Sequence, residues 1–203
     1  THLQLGGTSV TGTLDGLGRL LPALRLLDLE SCPLLGGDAE GLAGSACLEH
    51  LCLRGNKRLG GALAVAVGGS PKLEHLDVAG TAVRGTLADV APGLRHLRVL
   101  SVENCKRLHG SVHHLERCAL SLEALNISCT NLSGGPSLVA AKARTAFPKL
   151  KPIQALCCPF FASDGGDDGS DGLATLSQGH HASGHDKKKF AKDIGRLGKL
   201  LDV

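Results

Sequence analysis

Two short segments place His50 and Cys52, and His75 and Asp77, at matching positions 25 residues apart. Imidazole, thiol and carboxylate are the ligands of a zinc-like cation, and a thiol beside an imidazole is a nucleophile beside its base. Either chemistry needs the four side chains to converge, and neither segment can achieve that alone. The elements that would bring them together can be read from the surrounding chain.

Leu24, Leu48, Leu73, Leu97 and Leu122 open five copies of one apolar pattern at intervals of 24 or 25 residues. A unit that short cannot bury its own apolar face and is stable only against its neighbours, so the period predicts a stack of coils. From each opening Leu an apolar residue follows three positions on and another two positions later: Leu27 and Leu29, Leu51 and Leu53, Leu76 and Val78, Leu100 and Val102, Leu125 and Ile127. Residues two apart on a strand share a face, so these point inward and the residue between them points outward. Two outward rows follow across the stack. One reads His2, Leu26, His50, His75, Val99, Ala124, and the other Gln4, Asp28, Cys52, Asp77, Ser101, Asn126. With adjacent strands about 4.8 Å apart, His50, Cys52, His75 and Asp77 become a square. Exposed polar residues are also what a solvated sheet face needs, and sheet neighbours converge poorly for a tetrahedral site. That plainer reading is preferred, and neither a metal nor another cofactor is expected.

Each strand runs into a small polar turn residue, Thr8, Cys32, Asn56, Thr81, Cys105 or Thr130, which can satisfy backbone groups that a tight turn would orphan. An aliphatic residue and a glycine come next, as in Val10 and Gly12, Leu59 and Gly61, or Leu108 and Gly110. The glycine is expected to supply a backbone shape that a side chain would obstruct. Turns built on Cys or Asn carry one residue more than those built on Thr, and basic pairs occur only on the longer type.

These residues resemble the leucine-rich repeat family over roughly residues 1 to 158. The pattern is L-x-x-L-x-L, a polar turn residue, then L-x-G-x-L, and Leu73 to Leu87 (LEHLDVAGTAVRGTL) fits it throughout. The spacing and the L-x-G element are most similar to the plant and protist receptor subtype. The resemblance implies an α/β fold: a curved solenoid with a parallel β-sheet on its concave face and short helical or irregular convex segments. It also implies a binding function, or the ligand-reading ectodomain of a receptor or surface protein. About seven coils are expected, the first and last incomplete. The first strand has lost its opening residue, which suggests a piece of a longer protein. Gly135 to Ala146 reads as a short helix, and Leu150, Ile153, Ala155 and Cys158 as a degraded last coil.

The chain has 203 residues, only four Phe and neither Tyr nor Trp. Its core must therefore be aliphatic, each enclosed Leu contributing roughly 2 kcal/mol. Of the Trp, Tyr and Arg that usually anchor interfaces, only Arg is present. Net charge is +3, but basic and acidic side chains balance over residues 1 to 137. That balance argues against a nucleic-acid binder, and no small-molecule substrate is expected. The sequence also lacks GxxxxGK[ST], HExxH, GxSxG and paired CxxC motifs, so an enzyme is not expected.

The charge pattern points to a protein partner with an acidic edge. Arg54, Lys57 and Arg58 on one coil, Arg84 on the next, and Lys106 and Arg107 on the one after are predicted to align as a basic strip at the turn edge. Asp28, Glu30, Asp77 and Glu103 flank it, and His50 and His75 lie on the adjoining sheet. Eight scattered cysteines do not read as a disulfide framework. Free thiols and a cytoplasmic, reducing compartment are favoured over the extracellular one, against two glycosylation sequons at Asn126 and Asn131.

Residues 159 to 185 are rich in Gly, Asp, Ser and His and read as a disordered linker. DGGDDGSDG departs from a calcium loop at Gly166 and Thr175, and His180, His181 and His185 have no scaffold for zinc. Residues 186 to 203 place Phe190, Ile194, Leu197 and Leu201 on one helical face with lysines and arginines elsewhere. A basic amphipathic segment of this kind is the only part expected to be able to touch a membrane.

Overall fold

The computed structural model describes residues 1–118, 121–134, 149, 153 and 154. The helix expected at Gly135 to Ala146, the linker and the basic segment lie outside the described residues.

Every coil contributes one short strand to a seven-stranded parallel sheet: β1 (His2–Gln4), β2 (Leu26–Asp28), β4 (His50–Cys52), β6 (His75–Asp77), β8 (Val99–Ser101), β10 (Ala124–Asn126) and β12 (Ile153–Gln154). The register puts His2, Leu26, His50, His75, Val99 and Ala124 in one row, and Gln4, Asp28, Cys52, Asp77, Ser101 and Asn126 in the other. Both rows are the ones the repeat spacing predicts. The inward residues Leu27, Leu51, Leu76 and Leu100, and the opening leucines from Leu24 to Leu122, form one continuous aliphatic core.

After each strand of the first six coils the chain crosses two left-handed positions. The first is Gly7, Ser31, Gly55, Gly80, Asn104 or Cys129, and the second is the glycine of the L-x-G element, such as Gly61 at φ 88° or Gly110 at φ 97°. Glycine at the second position is thus required by the backbone, as expected. The first position was not legible in the sequence, because three non-glycine residues occupy it.

Between the two left-handed residues lies the turn side chain, and its bonds explain why three residue types serve. Thr8, Thr81 and Thr130 donate to the carbonyl three residues back, on their own coil. The longer thiols reach the preceding coil instead: Cys32 Sγ donates to Leu5 O at 3.1 Å and Cys105 Sγ to Val78 O at 3.0 Å. Asn56 does both, donating to Leu29 O at 2.7 Å and Leu53 O at 2.8 Å while its Oδ1 accepts from Cys32 N at 2.9 Å.

The L-x-G segments themselves form strands, which the repeat pattern did not announce. β3 (Gly37–Asp38) pairs with β5 (Leu59–Gly60), and β7 (Arg84–Thr86), β9 (Arg107–Ser111) and β11 (Asn131–Ser133) form a second parallel sheet. The return path is short and helical, with α1 (Leu17–Leu20), α2 (Leu63–Gly68) and α3 (Leu87–Val90) joined by 3-10 turns at Ala39–Leu42, Ala91–Gly93 and Val112–Cys118. The first coils approach most closely at glycine: a Cβ on Gly41 would run into the carbonyl of Leu14. Gly41→Ala is expected to lose about 1–3 kcal/mol through overpacking against backbone, read as a lower denaturation midpoint, whereas Gly85→Ser meets nothing within 4 Å and strains only its φ of 131°.

Candidate functional site

β4 and β6 bring His50, Cys52, His75 and Asp77 together, with His50 opposite His75 and Cys52 opposite Asp77. The pairs do not form a metal square. The two imidazoles stack, ring centroids 4.0 Å apart and planes 18° apart, which turns their faces rather than their nitrogens toward each other. Among the described residues, the three groups close enough to share an ion are Asp28, Glu30 and Cys52. His75 and Asp77 are also not solvated as expected, being 4% and 3% exposed. Burial, reinforced by the Asp77 carboxylate, pushes the Cys52 thiol far above its ordinary range. A thiol held protonated in this way is a poor nucleophile.

Burial also pushes the His75 imidazole down, to about 3, with His50 and Arg54 adding to the effect. An unfolded histidine titrates near 6.5, so from there down to pH 3 the unfolded chain binds the proton that the folded chain refuses. The stability held by neutral His75 is complete above pH 6.5 and is lost as pH falls toward 3. Between pH 7 and pH 5 the wild type is expected to lose about 2 kcal/mol more than His75→Phe. Equal losses in the two proteins, measured by urea unfolding, would remove this explanation.

Arg54 does not join an open basic strip. Its side chain turns over the sheet, Nε donating to Asp77 Oδ2 at 2.7 Å and a terminal nitrogen to Ser101 Oγ at 3.0 Å, with Glu103 at 3.6 Å. Desolvation opposes the guanidinium charge, but Asp77 and Glu103 outweigh it and hold Arg54 more firmly protonated. Burial pushes the Asp77 carboxyl up against the pull of Arg54 and the amide of Ala79. The attraction of a buried carboxylate, which the spacing of turn residues does not reveal, draws Arg54 inward.

Arg84 faces Arg107 in register across β7 and β9, an unfavourable pairing of like charges. Glu40 relieves it, 3.5 Å from Arg84. Lys57, Arg58, Lys106 and Arg107 are exposed, and no ion pair engages them among the described residues. They occupy equivalent places on two of the three coils with long turns. On the remaining long turn that place is taken by Leu34, which is 47% exposed. The strip is therefore Leu34 followed by two basic pairs, with Arg84 neutralised between them.

A further charged row escaped the sequence reading. The residue after each opening Leu is Arg25, Glu49, Glu74, Arg98 or Glu123, and Arg25 pairs with Glu49 at 2.8 Å while Arg98 bridges Glu74 at 3.6 Å and Glu123 at 2.9 Å. A charged residue of either sign at one position of five successive repeats was the available signal. Such exposed pairs contribute less than about 1 kcal/mol each, but they close one rim of the sheet and leave the turn edge as the open cationic side.

The coil-by-coil register, the parallel sheet on one face and the polar turn ladder define a leucine-rich repeat solenoid. No protein-family model matches the sequence, and no curated protein matches it. Among solved structures the chain is similar to a plant peptide hormone receptor, RGFR1, in complex with RGF2, with a TM-score of 0.62 and 22% identity over 76% of this chain and 24% of the receptor chain. It thus spans about a quarter of that protein's length. It is also similar, with a TM-score of 0.49 and 19% identity over 78% of this chain and 71% of the other, to the leucine-rich repeat ectodomain of the receptor kinase SOBIR1 from Arabidopsis thaliana. Among the described residues, no helix is long and apolar enough to cross a membrane.

Proposed function

We propose that this chain is a non-enzymatic protein-binding module that takes an extended acidic segment of a partner along its turn edge. The observation carrying this reading is the set of four exposed cations, Lys57, Arg58, Lys106 and Arg107, left without an ion pair among the described residues on a rim where Arg54 and Arg84 are neutralised. A rigid repeat holds such charges at fixed spacing, and complementary charge then sets encounter rate and register. Leu34 adds an apolar contact at one end of the strip. Precedent comes from the plant receptor of the same fold, whose structure is a complex with a peptide hormone. His50, His75, Asp77 and Glu103 lie beside the strip, and Asp77 and Glu103 draw Arg54 away from it.

The thiols do not favour a reducing compartment as firmly as the sequence suggests. Cys32 and Cys105 are buried turn builders bonded to carbonyls, so their free state follows from their place in the coil. A receptor-type ligand-reading role is therefore compatible with them, and we read the chain as the binding portion of such a protein.

The test is selection from a library of displayed acidic, neutral and basic peptides, followed by titration of the enriched ones. Acidic sequences are expected to dominate, and the combined Lys57→Glu, Arg58→Glu, Lys106→Glu and Arg107→Glu chain is expected to bind them at least tenfold more weakly with a nearly unchanged melting temperature. Undiminished binding by the reversed chain would refute the assignment of the strip.

A further inference from the structure

The two Asn-x-Ser tripeptides, at Asn126 to Ser128 and Asn131 to Ser133, stand only five residues apart, yet the fold treats them oppositely. Asn126 lies inside the seven-stranded sheet, paired on both sides by β8 and β12, and is 1% exposed. Its Nδ2 donates to Glu103 Oε2 at 3.2 Å and its Oδ1 accepts from Ser128 N at 3.1 Å, so both ends of the amide are engaged. Asn131 opens β11, the edge strand of the second sheet, and is exposed. Leu132 is fully buried between Asn131 and Ser133, and strand alternation therefore sets the amide and the hydroxyl together on the outward side. Among the described residues the Asn131 amide makes one bond, Nδ2 donating to Lys106 O at 2.8 Å, and the Ser133 hydroxyl reaches Gly110 O at 3.4 Å. Water can replace either.

We infer that Asn131 is the acceptor of an N-linked oligosaccharide in this chain, and that Asn126 is not one in the folded protein. In the transfer, a bond forms between Asn131 Nδ2 and C1 of the first sugar of a lipid-linked oligosaccharyl pyrophosphate. The C1–O bond to the pyrophosphate breaks, the lipid pyrophosphate departs with the electron pair, and the amide nitrogen gives up one proton to solvent. A sugar attached to Asn126 would displace its bond to Glu103 and could not be enclosed by the sheet. A glycan on Asn131 stands beside Lys106 and His109, where it bounds the C-terminal end of the cationic strip. Acceptance at Asn131 does not depend on what that strip binds.

The chain is translated behind a cleavable secretion signal in the presence of microsomal membranes, and in parallel secreted from eukaryotic cells. In the first arm a glycosidase-sensitive mass step is expected that Asn131→Gln and Ser133→Ala each remove. In the second, peptide mapping of the folded monomer is expected to find sugar on Asn131 and none on Asn126. A chain that gains no glycan in the microsomes, or a folded monomer with sugar on Asn126, overturns the assignment.

Discussion

Arg54→Ala is expected to destabilise the solenoid by about 3 kcal/mol, the lower part of the range for breaking a buried ion pair, because Arg54 keeps a solvent-facing side while Asp77 does not. The loss comes from the carboxylate left behind more than from the bond removed. Asp77 is 3% exposed and would retain only the Ala79 amide, 3.0 Å from its Oδ1, and its contact with Ser101. Two further results follow. Asp77→Asn introduced into the Arg54→Ala chain should recover part of the loss, since a neutral amide costs less to bury. The Arg54→Ala penalty should also shrink as pH falls, because Asp77 without its cation takes up a proton at higher pH than in the wild type and the burial cost disappears. A penalty under 1 kcal/mol at pH 7, from denaturation midpoints, would mean that the network is a surface ornament.

Asn56→Ala should be comparably severe, about 3 kcal/mol, with roughly 1 kcal/mol for each of three bonds in a site closed to water. The substitution orphans the carbonyl of Leu29 and the amide of Cys32 and leaves the carbonyl of Leu53 with the long backbone bond from the amide of residue 56, at 3.4 Å. Because one carbonyl and the amide belong to the preceding coil, the loss falls on the interface between coils, and a repeat protein depends on such interfaces for cooperativity. Asn56→Ala is therefore expected to broaden the unfolding transition as well as shift it. Asn56→Thr should be intermediate, since a hydroxyl can keep the bond to its own coil as Thr81 does to Val78 O at 2.7 Å. If Ala and Thr prove equivalent, the bridge to the preceding coil is not what stabilises the turn.

Much of this was legible along the chain. Apolar residues at fixed offsets every 24 or 25 positions admit few arrangements other than stacked parallel strands, and a strand period of two then assigns each residue to core or surface. The two outward rows, the turn residues and the left-handed glycine all follow from local geometry repeated. The short strands of the L-x-G segments were not legible, because each carries one aliphatic residue and a glycine in place of the alternating apolar pair that marks the concave strands. Nor was the left-handed residue before the turn, since Ser31, Asn104 and Cys129 stand where glycine stands in other coils.

The sequence alone therefore determined which coil neighbours which and in what register, since one repeated pattern leaves no freedom in that choice. Which charges are open and which are closed was decided only in three dimensions. Arg54 and Lys57 are three residues apart on one turn, but Arg54 folds inward over a buried carboxylate while Lys57 remains in water. Asn126 and Asn131 carry the same tripeptide, yet one is enclosed by strands on both sides and the other lies on an open edge. Side-chain identity was fixed by the sequence, but accessibility depends on what the neighbouring coils place within reach, and that is a property of the assembled stack.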